Sequence, residues 1–209
     1  MEGVERGPTP APGVYVYDTD GHEEVSALGG ARHDYPKQST MTVTATDCGV
    51  LVHWAPLEQR FEDWDICYDG PSSMLMRTFT THHEFFGQTE ERKYNCTSTY
   101  LRAGSDAPGT EEHGSCTSPT DQATTKMTVI GTEQVLIQGT PVDAVHVYID
   151  QNVTGKVRGY ERGDAWLRTS DGALLVFQMV IDGDGDTVIG PTHFHEEINL
   201  RLAELTPRQ

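Results

Sequence analysis

The chain has 209 residues, a length that suits one large β domain or at most two small ones. Its acidic residues outnumber the basic ones by 32 to 15, which gives a formal net charge of −17. Such a charge repels nucleic acids and anionic lipid headgroups, so we expect no nucleic-acid partner. No apolar run in the sequence reaches the ~18 residues of a membrane span, so we expect no membrane insertion by this segment.

The first twelve residues differ in composition from the rest of the chain. They are polar and Pro-rich (GPTPAPG) and lack a cationic start followed by an apolar segment. We interpret residues 1–12 as a disordered linker or a trimmed terminus and assign residues 13–205 to a single β domain. A signal peptide or membrane anchor upstream of Met1 would fit the cysteine content described below.

In the first half of the chain, alternating runs rich in Thr, Val and aromatic residues predict short strands. The predicted strands are Val14–Asp18, Glu23–Leu28, Met41–Trp54, Arg60–Tyr68, Ser73–Thr81 and His82–Tyr94. Turns are expected at Thr19-Asp20-Gly21 and near Pro56, and Gly87 is expected at a bend or bulge.

The second half continues the same pattern. Its predicted strands are Thr124–Ile130, Gln134–Gln138, Val142–Val153, Lys156–Thr169, Ala173–Ile181 and Thr187–Leu202. The turns between them are expected at Gly131-Thr132-Glu133, at Ser170-Asp171-Gly172 and at Asp182–Asp186. No segment has a sustained helical period with caps. We therefore predict an all-β or β-rich chain with little helix, folded as a large, curved antiparallel meander sheet in a half-barrel or open barrel.

The first cysteine pair follows from the predicted strand register. If Trp54 faces Phe61 in an antiparallel pair, then Cys48 lies opposite Cys67. Two cysteines directly across an antiparallel pair are close enough to form a disulfide. We therefore predict a bond between Cys48 and Cys67.

The second pair, Cys96 and Cys116, flanks residues 97–115, which are rich in Gly, Ser and Pro and predict a long loop closed by a disulfide. Each bridge would close about 20 residues and contribute roughly 3 kcal/mol. A zinc site of four cysteines lacks the close C-x₂₋₄-C pair, while free core thiols and a catalytic cysteine are further alternatives. Disulfides predict an extracytoplasmic protein, either secreted or anchored at the cell surface.

The strand Ala173–Ile181 (ALLVFQMVI) is apolar on both faces, so both faces are expected to be buried. A second sheet, a short helix, a loop or a bound apolar ligand would have to cover its outer face. An aromatic-lined pocket is one possibility beside a plain core. Its candidate ligand-binding residues are Trp64, Trp166 and Phe177.

The DGDGD segment places carboxylates at Asp182, Asp184 and Asp186, a spacing typical of calcium loops. Thr187 stands where such a loop needs glycine, and His193 stands where it needs a bidentate acid. The favoured interpretation is a polar hairpin turn, with weak calcium binding as the alternative.

The last strand presents His193, His195 and Glu197 on one face, because alternate residues of a strand share a face. Two imidazoles and a carboxylate could hold Zn²⁺ or another transition metal. The opposite face, from Phe194 to Leu202, is apolar and inward with one exception, Glu196. We favour an ordinary solvated face for the histidines and expect no cofactor.

The HHEFFG segment points one of His82 and His83 inward, where a hydrogen-bonded core histidine is more common than a ligand. No nucleophile elbow, S-x-x-K motif, Cys/His pairing, dinucleotide fingerprint or P-loop occurs in a credible context. An enzyme is therefore less favoured than a binding protein, and a hydrolase stays an alternative.

The second half resembles the LolA/LppX-type lipoprotein-carrier family. The resemblance spans AVHVYIDQNV, GDAWLRTSDG, ALLVFQMVI and THFHEEINLRL, with Trp166, Leu167 and Gly172 matching the strand end that turns into the next strand. It implies a large, curved, unclosed sheet that holds a hydrophobic ligand on its concave side. In the first half, LGGARHDYP, CGVLVHW and HEFFG resemble segments of uncharacterised secreted or membrane-anchored bacterial proteins.

Three functional hypotheses follow. The first is an extracytoplasmic, non-enzymatic domain that binds a hydrophobic or amphiphilic small molecule on a curved sheet. The second is a surface module that binds a protein partner or spaces an assembly, with its recognition surface on or near the 97–115 loop. The third is a metal-dependent function through His193, His195 and Glu197.

Overall fold

The computed structural model describes residues 9–68, 73–97, 100–102, 107–187 and 190–209. Within these residues the chain forms antiparallel strands, one short 3₁₀ turn at Ala27–Gly29 and no α-helix, which confirms the predicted all-β class. No helix in this part of the chain is long and apolar enough to cross a membrane. The strands are β1 (Gly13–Val25), β2 (Ala31–Asp34), β3 (Gln38–Ala45), β4 (Gly49–Leu57), β5 (Arg60–Tyr68), β6 (Ser73–Phe85), β7 (Gln88–Cys96), β8 (Tyr100–Arg102), β9 (Glu111–Thr117), β10 (Asp121–Ile137), β11 (Thr140–Gly155), β12 (Val157–Arg168), β13 (Leu174–Thr187) and β14 (Gly190–Leu202).

Twelve of these strands form a closed antiparallel barrel. From β3 to β14 the neighbours follow the order of the sequence, except that β7 pairs with β9. The ring is completed by β1, whose residues 13–18 pair with β3 and whose residues 17–25 pair with β14. The short strands β2 and β8 lie off the ring and pair with β1 and β6. The predicted meander therefore closes on itself, and closure pairs the two edges that an open sheet would leave exposed.

Both predicted disulfides are present, Cys48–Cys67 and Cys96–Cys116. The predicted register around the first one is wrong by one residue. Trp54 faces Glu62 instead of Phe61, and Gly49 faces Cys67. Cys48 therefore lies one position beyond the end of β4, yet its Cα is still 4.9 Å from that of Cys67. A shift of one residue exchanges the two faces of a strand, so this register turns Trp54 and Glu62 into the barrel.

Several predicted boundaries in the first half are wrong; β6, for example, continues through the predicted break after Thr81 as far as Phe85. Met41–Trp54 is two strands, β3 and β4, joined by a tight turn at residues 46–48, because unbroken alternation does not reveal a hairpin. Thr19-Asp20-Gly21 is not a turn but the middle of β1. Gly21 has φ of +150°, and a Cβ there would lie 2.1 Å from the carbonyl oxygen of Glu197. Glycine is needed here because β1 and β14 approach each other closely where the barrel closes, and not because the chain reverses its direction.

In the second half, two more predicted turns are interior parts of strands. Gly131-Thr132-Glu133 lies in β10, where the register shifts between Val129 and Gly131 at a β-bulge. Asp182–Asp186 lies in β13, where the aspartates point outward and the glycines point inward. The D-G-D-G-D spacing has the period of two that a strand requires. The segment was predicted as a turn because aspartate and glycine are also the residues typical of turns.

The strand Ala173–Ile181 is buried on both faces only at its beginning. Val176 is 4% exposed on the outer face, whereas Val180, four residues later on the same face, is 37% exposed. The cover over Val176 is the hairpin of β10 and β11 beyond the bulge, which packs Val135 and Ile137 into the same apolar cluster. A segment of the same sheet, rather than a helix or a ligand, therefore supplies the outer cover.

The predicted terminal segment and loop lie partly outside the described residues. Of the predicted linker, residues 1–8 fall outside, while Pro10 is buried against the barrel interior. The predicted loop 97–115 contains β8 and the first part of β9. Residues 98–99 and 103–106 of that loop lie outside the described chain.

Candidate functional site

The interior of the barrel contains two adjoining chambers. Alternate residues of each strand point inward, and Glu62, Phe79, Glu161 and Ile181 line both chambers at their boundary. The first chamber, called the apolar chamber below, has a cavity of about 250 Å³. Its walls include Val52, Trp64, Met76, Met127, Phe177 and Met179.

Two of the three predicted ligand-binding residues lie in this chamber. Trp64 of β5 and Phe177 of β13 both line it. Trp166 lies on the outer face of β12, where its ring stacks on His146 at 4.1 Å and its Nε1 donates a hydrogen bond to Glu133. Trp166 therefore does not contribute to the chamber wall.

The second chamber, called the polar chamber below, has a cavity of about 310 Å³. Three glycines, Gly159, Gly183 and Gly185, lie at inward positions in its wall, where β12 and β13 approach closely. A Cβ on Gly159 would lie 2.3 Å from the carbonyl oxygen of Asp182 on the neighbouring strand. Phe85 and Phe194 are among its apolar residues, while Arg60, Glu62 and Glu161 are among its charged ones. The glycines of the DGDGD segment thus have a structural role that differs from the predicted turn.

Arg60 is completely buried in the wall of the polar chamber. Its Nε and Nη2 donate hydrogen bonds to Glu196 at 3.0 and 3.2 Å, and Nη2 also donates to Glu62. The hydroxyl of Tyr35 donates to Glu196, and the guanidinium lies 5.3 Å from the ring centroid of Trp54. Burial opposes the positive charge, but Glu196 and Glu62 outweigh it and raise the pKa of Arg60 well above its ordinary value.

Two further inward carboxyl groups have strongly raised pKa values. Burial, and then the neighbouring Glu196, raises the pKa of Glu23 to about 8. Burial, and then the neighbouring Glu62, raises the pKa of Glu161 to about 8. Carboxyl groups with such pKa values can hold a proton at neutral pH or accept a bound cation in its place.

The side chain of Glu23, which lies on β1, contacts two histidines. Its Oε1 lies 2.9 Å from Nδ1 of His33, and its Oε2 lies 2.7 Å from Nδ1 of His83. The His33 ring stacks on Phe85, and the His83 ring meets the edge of Phe194. Burial, and then the charge of Arg60, lowers the pKa of His83 well below its ordinary value. A lowered pKa favours the neutral imidazole, which is the form that donates a lone pair to a metal.

Glu23, His83 and Glu196 form a group whose ligand atoms lie within 4.8 Å of one another. Of the two adjacent histidines in HHEFFG, His83 is the inward one, and His82 stacks on Phe61 at 4.4 Å on the outer face. In the sequence, Glu196 is the one charged residue on the apolar face of the last strand. Its role as the partner of Arg60 and Tyr35 could not be deduced from that pattern.

The residues of the predicted metal sites lie together on the outside of the barrel. Nδ1 of His195 lies 3.2 Å from Asp182, and Nδ1 of His193 lies 3.1 Å from Asp184 across β13 and β14. Glu197 lies 3.5 Å from Nε2 of His195. These five residues are called the outer histidine patch below. Asp186, the third predicted calcium ligand, is exposed and pairs with Pro191.

The outer histidine patch is separate from the interior group, because consecutive residues of a strand point to opposite faces. Glu196 points into the barrel, while its neighbours His195 and Glu197 point away from it.

Comparisons with protein-family models, with curated proteins and with solved structures find no match to this chain.

Proposed function

We propose that this protein is an extracytoplasmic binding protein that holds a hydrophobic or amphiphilic small molecule inside its barrel. The observation that carries the proposal is the apolar chamber, a cavity of about 250 Å³ whose walls are formed by aromatic, aliphatic and methionine side chains. A dry cavity of about 150 Å³ already binds benzene, so this volume admits a larger apolar molecule.

Three properties of the chamber support a role in binding. Met76, Met127 and Met179 supply flexible, polarisable walls that adapt to ligands of different shape. The closed ring of strands gives these side chains a rigid support. The adjoining polar chamber would accommodate the polar end of an amphiphilic ligand, and its carboxylates favour a cationic or hydrogen-bond-donating headgroup.

The extracytoplasmic location rests on the two disulfides, which persist in oxidising compartments. The resemblance of the second half to lipoprotein carriers points to the same class of ligand, and it stays a prediction. The closed barrel would enclose a ligand, whereas the unclosed sheet of that family holds one on a concave face.

The test uses the neutral fluorescent probe N-phenyl-1-naphthylamine. We expect saturable binding of one probe per chain, with energy transfer from Trp64, which lines the chamber. Ala165→Phe, which places a ring inside the chamber, is expected to weaken binding about tenfold or more through steric exclusion.

The matched control is Val180→Phe, which places the same ring on the exposed outer face of the next strand. We expect it to bind the probe as the wild type does. Absence of saturable binding, or equal weakening by both substitutions, would show that the chamber is not a ligand site. Circular dichroism in the near ultraviolet confirms that both variants keep the native packing.

A further inference from the structure

The group formed by Glu23, His83 and Glu196 is a candidate for a second kind of binding. The two glutamates are completely buried, and His83 faces the polar chamber with about a fifth of its side chain exposed. We propose that Glu23, His83 and Glu196 bind a divalent metal ion such as Zn²⁺ inside the barrel. This site is independent of whether the apolar chamber holds a ligand.

Geometry supplies the first support. Each of the three residues offers one ligand atom, and the three atoms already lie within 4.8 Å of one another. Zn²⁺ binds imidazole and carboxylate ligands at about 2.0–2.2 Å, so its ligand atoms lie roughly 3.3 Å apart. Oε2 of Glu23 and Nδ1 of His83 are 2.7 Å apart, so these two atoms need to move apart only slightly to bind the ion between them.

The balance of charge supplies the second support. Arg60 is within 4.0 Å of three buried carboxylates, those of Glu23, Glu62 and Glu196. Its guanidinium donates hydrogen bonds to Glu62 and Glu196, whereas Glu23 lies 3.8 Å away and contacts two imidazoles. When all three carboxylates are ionised, one guanidinium leaves an excess of two negative charges. A divalent cation would compensate this excess, and buried charges require such compensation.

The surroundings supply the third support. His33 contacts the second oxygen of Glu23 at 2.9 Å and would orient that carboxylate without binding the metal itself. Phe85 stacks on His33, and Phe194 meets His83, so both rings are held in place. A set of one imidazole and two carboxylates, without sulfur, suits Zn²⁺, Mn²⁺ or Fe²⁺. The polar chamber beside His83 leaves room for water or another ligand to complete the coordination.

The test measures Zn²⁺ binding to the full chain after treatment with EDTA. Calorimetric titration of the wild type is expected to show one Zn²⁺ per chain and a higher melting temperature in its presence. His83→Gln, which removes a proposed ligand, is expected to weaken binding about 100-fold or more, and His33→Gln about tenfold. The matched control combines His193→Gln with His195→Gln, which disables the outer histidine patch, and it is expected to bind as the wild type does.

X-ray absorption of the Zn²⁺-loaded wild type tests the same site without any substitution. One imidazole and otherwise oxygen ligands support the interior site, whereas two imidazoles indicate the outer histidine patch and overturn the proposal. The proposal is also overturned if the wild type binds no Zn²⁺, or if the control variant loses the metal while folded His83→Gln retains it. If His83→Gln does not fold, the absorption spectrum and His33→Gln decide the matter.

Discussion

Cys96 lies directly opposite Cys116 at the junction of β7 and β9, and the two sulfur atoms are bonded. In the described part of the chain these strands share only two paired positions, Asn95 with Thr117 and Cys96 with Cys116. By contrast, β4 and β5 pair over most of their length beside the other disulfide. The disulfide between Cys96 and Cys116 therefore reinforces the seam between β7 and β9, where the hydrogen-bonded pairing is much shorter than between β4 and β5.

The two disulfides should differ in their effect on the barrel. They close loops of nearly equal length, 19 and 20 residues apart in sequence, so removal of either should lower the free energy of unfolding by about 3 kcal/mol. Only replacement of Cys96 and Cys116 by serine should also open the seam locally. Amide hydrogen exchange measures this local opening. We expect faster exchange in β7 and β9 when Cys96 and Cys116 are replaced, and exchange as in the wild type there when Cys48 and Cys67 are replaced. Equal exchange in both variants would contradict the role assigned to the seam.

Replacement of Arg60 by methionine should lower the free energy of unfolding by about 3–5 kcal/mol, because it leaves buried carboxylates without their cation. Burial already raises the pKa of Glu62, and loss of Arg60 would raise it further. The folded protein then binds protons that the unfolded chain releases, so the loss should shrink as the pH falls from 8 towards 5. Urea unfolding at both pH values measures it.

The control for Arg60 is Arg77→Met, which breaks an ion pair with Asp65 on the outer face. Because the Arg77 side chain is 44% exposed, the cost there should be below about 1 kcal/mol. A loss at Arg60 no larger than this would show that the buried network contributes little to stability.

Glu161→Gln should stabilise the protein at alkaline pH. The folded-state pKa of Glu161 is raised from 4.5 to about 8, so the unfolded chain loses this proton first as the pH rises. Wild-type stability therefore falls between pH 4.5 and 8, and glutamine removes that fall. We expect Glu161→Gln to match the wild type at pH 4.5 and to exceed it by about 2 kcal/mol at pH 9, allowing for partial exposure to the chamber.

Denaturant unfolding across that pH range measures the effect at Glu161. Glu91→Gln is the control, because the Glu91 side chain is 58% exposed on the outside of β7. Its free energy of unfolding should differ from that of the wild type by less than about 1 kcal/mol, because an exposed ion pair such as that of Glu91 with His82 contributes little. A curve for Glu161→Gln that stays parallel to that of the wild type would exclude a buried proton at this position.

The outer cover can be tested with two valines on the same face of β13. Val176→Ala should cost about 2 kcal/mol, because Val176 is 4% exposed beneath the β10–β11 hairpin. Val180→Ala should cost less than about 0.5 kcal/mol, because Val180 is 37% exposed. Thermal unfolding compares the two variants, and similar costs would argue against the hairpin as the cover.

Alternation alone was a sound guide to which residues face the core in the last strand. Ile198, Leu200 and Leu202 are buried inside, and His193 and His195 point outward, as the period of two predicts. Composition was a poorer guide to turns. Glycine and aspartate are common both in turns and at inward and outward positions of long strands, so Gly21 and Asp182–Asp186 were misassigned.

The interior clusters were beyond any local pattern. Glu23, Arg60 and Glu196 belong to β1, β5 and β14, and no spacing in the chain connects them. Glu196 could be seen as an exception on an apolar face, and His83 as one of two alternatives. Neither observation indicates which residues they meet across the barrel.

The sequence by itself determined the strand class, the inward and outward faces of the clearest strands and the partners of the four cysteines, because these depend on short-range periodicity and spacing. Only the tertiary structure decided that the sheet closes, where its seam lies and which charged groups share the interior. Those features depend on register and on contacts between distant strands. A one-residue shift in register exchanges the inner and outer faces of a strand without changing its composition.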